Sequence, residues 1–226
     1  MADTKTLAPE ILLHIAKCLK LPVQSLVSVI GLLNDGGTVP FIARYRKEAT
    51  GNLDEVQIRD IEEKLAYFRD LVSRRESILA SILEQGKLTD DLKARIEATF
   101  DKSELEDLYL PYRPKRRTKA TIARDRGLAS LADYLWAQLP AAQPLAEFAA
   151  TFVSPEREVP TVEDALEGAR HIVAETISED ADLRKALRQL LFEEGIIVSK
   201  KSFDAVDEQE KFKMYYDYRE PVKTIP

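Results

Sequence analysis

The sequence has little cysteine and no long apolar run, and these shortages exclude two classes of protein. Cys18 is the only cysteine, so the chain cannot form an internal disulfide, as is usual in a reducing compartment. No stretch approaches the roughly 18 apolar residues that a membrane span requires. The first residues, MADTKTLAPE, lack the basic segment and apolar core of a signal peptide. We therefore expect a cytoplasmic protein with no membrane partner.

Glycine and aromatic residues are also scarce, with 8 glycines and 8% aromatics in 226 residues. A β-sandwich or barrel would need many tight turns, and this composition does not favour one. Ala, Leu, Glu, Lys and Arg, which are good helix formers, dominate instead. The composition predicts an all-α fold with negligible β-structure.

Prolines and a glycine pair punctuate the N-terminal region. Pro9 opens an apolar-periodic run, and Pro22 ends it and starts the next. The second run stops at Asn34-Asp35-Gly36-Gly37. Two short helices separated in this way predict a helical hairpin or a helix-turn-helix-like unit over residues 1–53.

A second region, residues 54–226, begins with a much longer helix over 54–85. Asp54 and Gln57 form the pattern of a capping box, and Gly86 follows the last apolar residue. The predicted apolar stripe is Ile58, Ile61, Leu65, Phe68, Val72, Leu79 and Ile82. This spacing is typical of a coiled-coil-like seam or of one amphipathic helix packed on a globular body, and we favour the second. A shorter helix from Thr89 to Phe100 can fold back along it.

Further helices fill the rest of the chain. Ser103 has the spacing of a capping residue for a short helix that ends at Pro111, and Thr161 begins another. Leu183, Ala186, Leu187, Leu190 and Leu191 are expected to line a helix that ends at Gly195. Residues 196–198 are β-like but too short to define a sheet. The aromatic and basic residues of 211–218 indicate an amphipathic helix docked on a core more than a site for single strands.

Charge is distributed unevenly. The chain has a formal net charge of −6, yet residues 113–126 hold seven Lys or Arg and one Asp, a local balance of +6 that leaves −12 on the remainder. Pro111 and Pro114 oppose a regular helix here and predict an exposed basic loop over 111–120. Basic side chains on such a loop can pair with phosphates without reading sequence. The alternative is a loop docked on the acidic remainder of the chain, or simply solvated.

The basic segment supplies our candidate nucleic-acid-binding residues, which are Arg113, Lys115, Arg116, Arg117, Lys119 and Arg124. A second candidate is residues 38–48, where Arg44, Arg46 and Lys47 accompany Phe41 and Tyr45. A phosphate or a stacked base could bind there. We favour a structural role, in which the aromatics pack in the core and the arginines bond backbone carbonyls or carboxylates.

Catalytic motifs are not found. His14 and Cys18 have the spacing of two metal ligands on a helix, but His171 is the only other histidine. There is no nucleophile elbow, phosphate-binding loop or zinc-protease motif. We expect no catalytic residues, no metal and no cofactor, and therefore no enzyme.

Three stretches resemble the N-terminal region of the Tex family of bacterial transcription accessory proteins. They are TVPFIARYRKEATGNLDE (38–55), LEDLYLPYRPKRRTKATIAR (105–124) and EKFKMYYDYREPVKTIP (210–226). The resemblance implies a relative of a eukaryotic transcription elongation factor and histone chaperone. It also implies that an RNase-H-like domain, helix-hairpin-helix elements and an OB-fold RNA-binding domain follow in full-length members, so this sequence would be truncated before the RNase-H-like domain.

Two functional hypotheses follow. In the first, the chain is a non-catalytic scaffold of a protein that binds RNA or DNA through other domains and contacts the transcription machinery. In the second, the basic segment 113–126 itself adds non-specific phosphate binding. We expect the chain on its own to be monomeric.

Overall fold

Helices dominate the fold of this chain. The computed structural model describes residues 7–114, 116–138, 144–206 and 209–225. Within them lie twelve α-helices and one two-stranded sheet, which confirms the predicted all-α class. The chain divides into two compact units, Met1–Leu105 and Glu106–Pro226. This division lies elsewhere than the boundary that the sequence predicts after residue 53, because the long helix after that position packs on the helices before it.

The first unit begins with a pair of short helices followed by four more. Their bounds are α1 Pro9–Leu19, α2 Val23–Asn34, α3 Val39–Tyr45, α4 Lys47–Thr50, α5 Glu55–Glu84 and α6 Asp90–Ala98. A bend of 109° separates α1 from α2, a geometry within the range of helix-turn-helix units. In the described part of the chain, no single helix combines the length and apolarity of a membrane span, and only this bent pair does so jointly.

Helix α5 is the central element of the first unit. Asp54 Oδ1 accepts from the Gln57 backbone N–H at 2.8 Å, and Gln57 Oε1 accepts from the Asp54 N–H at 3.0 Å, so the predicted capping box is present. The buried residues of α5 are Ile58, Ile61, Leu65, Phe68, Leu71, Ile78 and Ile82. The predicted stripe was therefore wrong in its second half.

Leu71 and Ile78 replace the expected Val72 and Leu79, which are only half-buried. The buried stripe shifts round the helix because α5 packs on α1, α2 and α3 and also on α6, instead of following one parallel partner. Arg75, at a seam position, donates from Nη2 to the Thr99 carbonyl at 2.6 Å. This packing supports the amphipathic-helix interpretation that the sequence favours.

Replacing Asp54 by Ala should destabilise the chain by about 1 kcal/mol, because an N-cap side chain contributes about that much to a helix. Urea unfolding followed by circular dichroism measures the change. The matched control is Asp60→Ala, which removes a carboxylate from the exposed surface inside the same helix. Equal effects of the two substitutions would show that the cap adds nothing.

The second unit is built around one helix. Its helices are α8 Lys119–Asp125, α9 Ala129–Ala137, α10 Leu145–Ala150, α11 Val162–Glu179 and α12 Ala181–Glu194, preceded by α7 Lys102–Tyr109 across the division of the units. Helix α11 contacts α8, α9, α10 and α12. The core that it shares with its neighbours contains several small residues, among them Ala120, Ala123, Ala165 and Ala169. Small side chains allow the helix backbones to approach closely.

A buried carboxylate fastens α12 within the second unit. Asp107, on α7, accepts from Arg184 Nε at 2.6 Å and also from Arg188 Nη2. Asp101, and not the expected Ser103, caps α7, since its Oδ1 accepts from the Glu104 N–H at 2.9 Å.

Two expectations for the end of the chain were wrong. Strand β1, Ile196–Lys200, pairs antiparallel with β2, Asp217–Pro221, and the first two residues of β2 replace the end of the helix expected over 211–218. Only a 3₁₀ turn, Lys213–Tyr215, precedes β2. Aromatic and β-branched residues favour strands once a partner strand is available, and β1 is that partner.

Helix α12 ends at Gly195 as predicted, and none of its described residues is buried. The leucines that line it, Leu183, Leu187, Leu190 and Leu191, are 38% to 61% exposed. In the second unit α12 is held by the two arginines on Asp107 and by contacts with α11 and the turn Val222–Thr224. Its leucine stripe is left open to solvent.

Candidate nucleic-acid interface

The basic segment is part loop and part helix. A 3₁₀ turn, Leu110–Tyr112, ends at the extended residue Arg113, and α8 begins at Lys119. Lys119 and Arg124 are therefore helical, and the predicted loop over 111–120 is shorter at both ends. Thr118 ends the loop, because its hydroxyl accepts from the Thr121 N–H at 3.0 Å and so caps α8. Lys115 lies outside the described residues.

The helical end of the segment is fastened to α11. Arg124 Nη1 lies 2.5 Å from Glu175 Oε2, and the Thr118 hydroxyl donates to Glu175 Oε1 at 3.0 Å. The Glu175 side chain is only 11% exposed, so its charge is largely shielded from water. Ala120 and Ala123 bury the face of α8 that packs on α11. Arg124 thus has an anchoring role in the fold, although the sequence offers it as a phosphate ligand.

A second ion pair follows α8. Arg126 Nη2 lies 2.6 Å from Glu158 Oε2. The hydrogen bond and the charge of Arg126 lower the pKa of Glu158, and the charge of Arg117 adds a smaller effect in the same direction. The pair connects the end of α8 to the turn before α11. The side chain of Arg117 is therefore near enough to feel Glu158 without being bonded to it.

Four other basic side chains of the segment have no such anchor among the described residues. Arg113, Arg116, Arg117 and Lys119 are all exposed, and within the described residues no ion pair or side-chain hydrogen bond holds them. Within the described residues, the segment is thus docked on acidic residues at its C-terminal end, and the four basic side chains before that end have no ion pair. The docked alternative therefore applies to the end of the segment that carries Arg124 and Arg126.

In the second candidate, residues 38–48, the aromatic side chains are exposed, whereas the role favoured from the sequence places them in the core. Val39, Ile42 and Ala43 make the core contacts of α3. Phe41 is 43% exposed and Tyr45 is 67% exposed, so the aromatic side chains do not pack in the core. A Phe at such a position is hard to assign from sequence, because helix α3 is too short for its periodicity to decide which face is buried.

His14 and Cys18 lie close together without further ligands. Cys18 Sγ is 3.4 Å from His14 Nε2, and the His14 ring stacks on Phe100 with 4.3 Å between ring centroids. Among the described residues, no group of three or more His, Cys, Asp or Glu side chains could hold a metal ion. The pair belongs to an aromatic contact that also includes Phe68.

Two family models match the chain, one within each of its two units. A model described as the Tex-like protein N-terminal domain matches residues 9–83, which run from α1 nearly to the end of α5. A model described as Tex central region-like matches residues 140–226. The chain belongs to the Tex family.

Individual relatives agree with this assignment. The transcriptional accessory protein Tex of Neisseria gonorrhoeae is 50% identical over 199 residues, and protein YhgF of Escherichia coli is 49% identical over 199 residues. Each match covers 88% of this chain and 26% of the relative. A human protein named S1 RNA-binding domain-containing protein 1 is 31% identical over 208 residues, or 88% of this chain and 20% of the relative. The chain therefore spans about a quarter of the length of these bacterial relatives.

Proposed function

We propose that this chain is a non-catalytic region of a cytoplasmic Tex-type transcription accessory protein, and that its basic loop adds phosphate contacts to nucleic-acid binding by the full-length protein. The main RNA or DNA site lies in another part of that protein. The name of the human relative, which refers to an S1 RNA-binding domain, supports this division of roles. Hydrolysis of nucleic acid or nucleotides by the purified chain would contradict the non-catalytic part of the proposal.

The observation that carries the proposal is the separation of anchored from free cations. Arg124 and Arg126 use their charges within the fold, on Glu175 and Glu158. The four free side chains precede them in the sequence, those of Arg113, Arg116 and Arg117 on an exposed loop and that of Lys119 at the first residue of α8. Unpaired cations on an anchored segment can meet phosphates without first breaking an internal ion pair. Such contacts depend on charge and not on base sequence.

Replacing Arg113, Arg116, Arg117 and Lys119 together by Ala should weaken nucleic-acid binding of a full-length protein that contains this chain. Removing a cation that pairs with a phosphate reduces affinity whatever the base sequence, so the weakening should be equal for oligonucleotides of different sequence. Fluorescence anisotropy titrations with two unrelated sequences, each as RNA and as duplex DNA, measure it.

A control variant should remove the same charge from other exposed positions, namely Lys17, Lys87, Arg170 and Lys223. If both variants bind alike, the effect is one of net charge and the loop has no special role. Weakening confined to one sequence would also count against the proposal, because it would indicate base recognition.

A second candidate function is that of a scaffold, and the open leucine stripe of α12 favours it. Exposed apolar area of this kind is common where another surface docks. We infer that the remainder of the full-length protein covers it, since the relatives are several times longer than this chain.

Leu187→Glu with Leu190→Glu should lower the thermal stability of a full-length protein and leave that of the isolated chain almost unchanged. In the isolated chain both side chains are 48% exposed, and surface substitutions usually change stability by no more than about 0.5 kcal/mol. Val56→Glu, at a 63% exposed position of α5, is the control. Equal effects of the leucine substitutions in both contexts would exclude docking on this stripe.

A further inference from the structure

The solvent side of α3 carries two neighbouring aromatic rings. The ring centroids of Phe41 and Tyr45 are 5.3 Å apart, with an angle of 43° between the planes. The guanidinium carbon of Arg46 lies over the Phe41 ring, 5.5 Å from its centroid. Large aromatic side chains in the open are costly to leave uncovered, because they are the residues that gain most from contact with another surface. These two tilted rings and the arginine together form an aromatic and cationic platform.

A groove of about 500 Å³ adjoins this platform, between the turn after α2 and the residues Phe41 and Arg46. The tight turn shapes the groove. Gly36 has φ +87°, and a side chain at Gly37 would place its Cβ 2.8 Å from the Leu32 carbonyl oxygen. Only glycine at these positions allows the chain to fold back so closely on α2. Phe41 and Arg46 therefore stand at the edge of a preformed recess.

The charge of this surface is positive. Arg44, Arg46 and Lys47 are exposed, and no ion pair joins any of them to a carboxylate in the described part of the chain. The acidic side chains nearest in sequence are Asp35, which lines the groove, and Glu48. Three unpaired cations beside two open rings complement a ligand that offers both flat faces and negative charge.

We propose that this surface, formed by Phe41, Tyr45, Arg44, Arg46 and Lys47, binds single-stranded nucleic acid. A base stacks on the aromatic rings, and the cations meet the flanking phosphates. A duplex is a poor ligand here, since its bases are already stacked on one another and expose no faces. An acidic peptide would satisfy the cations but would leave the rings without a stacking partner. The site goes beyond the proposed function, because the basic loop meets phosphates of single and double strands alike.

The test is Phe41→Ala with Tyr45→Ala in the 226-residue chain, titrated at low salt with oligothymidylate and with a DNA duplex of the same length. Removing base stacking should weaken oligothymidylate binding about tenfold or more. Duplex binding should stay the same. The slope of log affinity against log salt should also stay the same, because no cation is removed. Phe41→Trp with Tyr45→Trp should restore oligothymidylate binding.

The matched control is Trp136→Ala, which removes an aromatic side chain that is 53% exposed on α9, a helix without Lys or Arg. If the double variant melts at a lower temperature than the parent, Tyr45→Ser replaces it, since Tyr45 is the more exposed ring. Polyglutamate, an acidic peptide without bases, is titrated as a third ligand. The site would be overturned if the double variant lost as much affinity for the duplex or for polyglutamate as for oligothymidylate. It would also be overturned if the affinity for oligothymidylate did not decrease. Alanine at the four free loop cations should instead flatten the salt slope for both ligands, so the two proposals fail separately.

Discussion

Replacing Arg184 and Arg188 together by Ala is expected to destabilise the second unit by about 3 kcal/mol. Breaking a buried charge pair by removing one side costs about 3 to 5 kcal/mol, because the other charge stays buried without compensation. Asp107 is that other charge, with a side chain only 7% exposed. The arginines are 42% and 44% exposed, so part of their charge is already hydrated, and the lower end of the range applies.

The effect should depend on pH in a definite direction. Burial alone would raise the pKa of Asp107, but the hydrogen bonds and charges of Arg184 and Arg188 outweigh it and lower that pKa below the ordinary 3.8. A carboxyl whose pKa falls on folding contributes stability above its unfolded pKa and loses it as the pH drops through the folded value. The stability difference between the parent and Asp107→Asn should therefore be constant near neutral pH and shrink below pH 3.8.

Trp136 gives a direct measurement, because it is the only tryptophan and belongs to α9 in the same unit. Urea unfolding followed by its fluorescence reports the free energy of unfolding of that unit. Arg170→Ala, which removes an exposed arginine from α11, is the control and should have little effect. If the double variant unfolds at the same urea concentration as the control, the Asp107 contacts do not hold α12.

The substitution Gly168→Leu is expected to destabilise the second unit by about 3 kcal/mol. This value is at the upper end of the range for overpacking a core. Even a Cβ at this position of α11 would lie 2.3 Å from Leu128 Cδ1 and 3.4 Å from the Ala123 Cβ. Leu128 is almost completely buried and cannot move aside without disturbing its own neighbours. The larger side chain would force α11 away from α8 and would separate Arg124 from Glu175.

Trp136 fluorescence during urea unfolding again measures the change at Gly168, and circular dichroism measures it for the control, which lies in the first unit. The control is Gly31→Ala in the middle of α2, where a Cβ would meet nothing within 4 Å. There the substitution should stabilise the helix by about 0.5 to 1 kcal/mol, because it removes the conformational freedom of glycine. We therefore expect Gly168→Leu to lower the free energy of unfolding and Gly31→Ala to raise it. Stabilisation at both positions would show that α11 does not pack closely on α8.

Helix boundaries were the part of the fold that the sequence could predict. They depend on local chemistry, and the capping side chains of Asp54, Thr89 and Thr161 all accept the backbone hydrogen bonds that their positions indicate. Which face each helix buries was less predictable. The stripe of α5 changes direction because its partners change along its length, and the leucines of α12 resemble a core face although they are exposed.

Pairings between distant residues could not be predicted. Thr118 and Glu175 are 57 residues apart, and Arg184 lies 77 residues from Asp107. The same limit applies to the candidate site. Charge and proline content point to the basic segment as a candidate, but only its partners in the fold separate the anchored Arg124 from the four free cations.

The most direct test of the central proposal is the salt dependence of nucleic-acid binding by the chain with and without its free loop cations. Affinities for a DNA duplex and for a single strand should be measured over a range of low salt concentrations. Alanine at Arg113, Arg116, Arg117 and Lys119 should flatten the plot of log affinity against log salt. For each phosphate that is no longer neutralised, the slope should change by about 0.9 on the duplex and about 0.7 on the single strand. An unchanged slope together with a lower melting temperature would show that these cations serve the fold and would contradict the proposal.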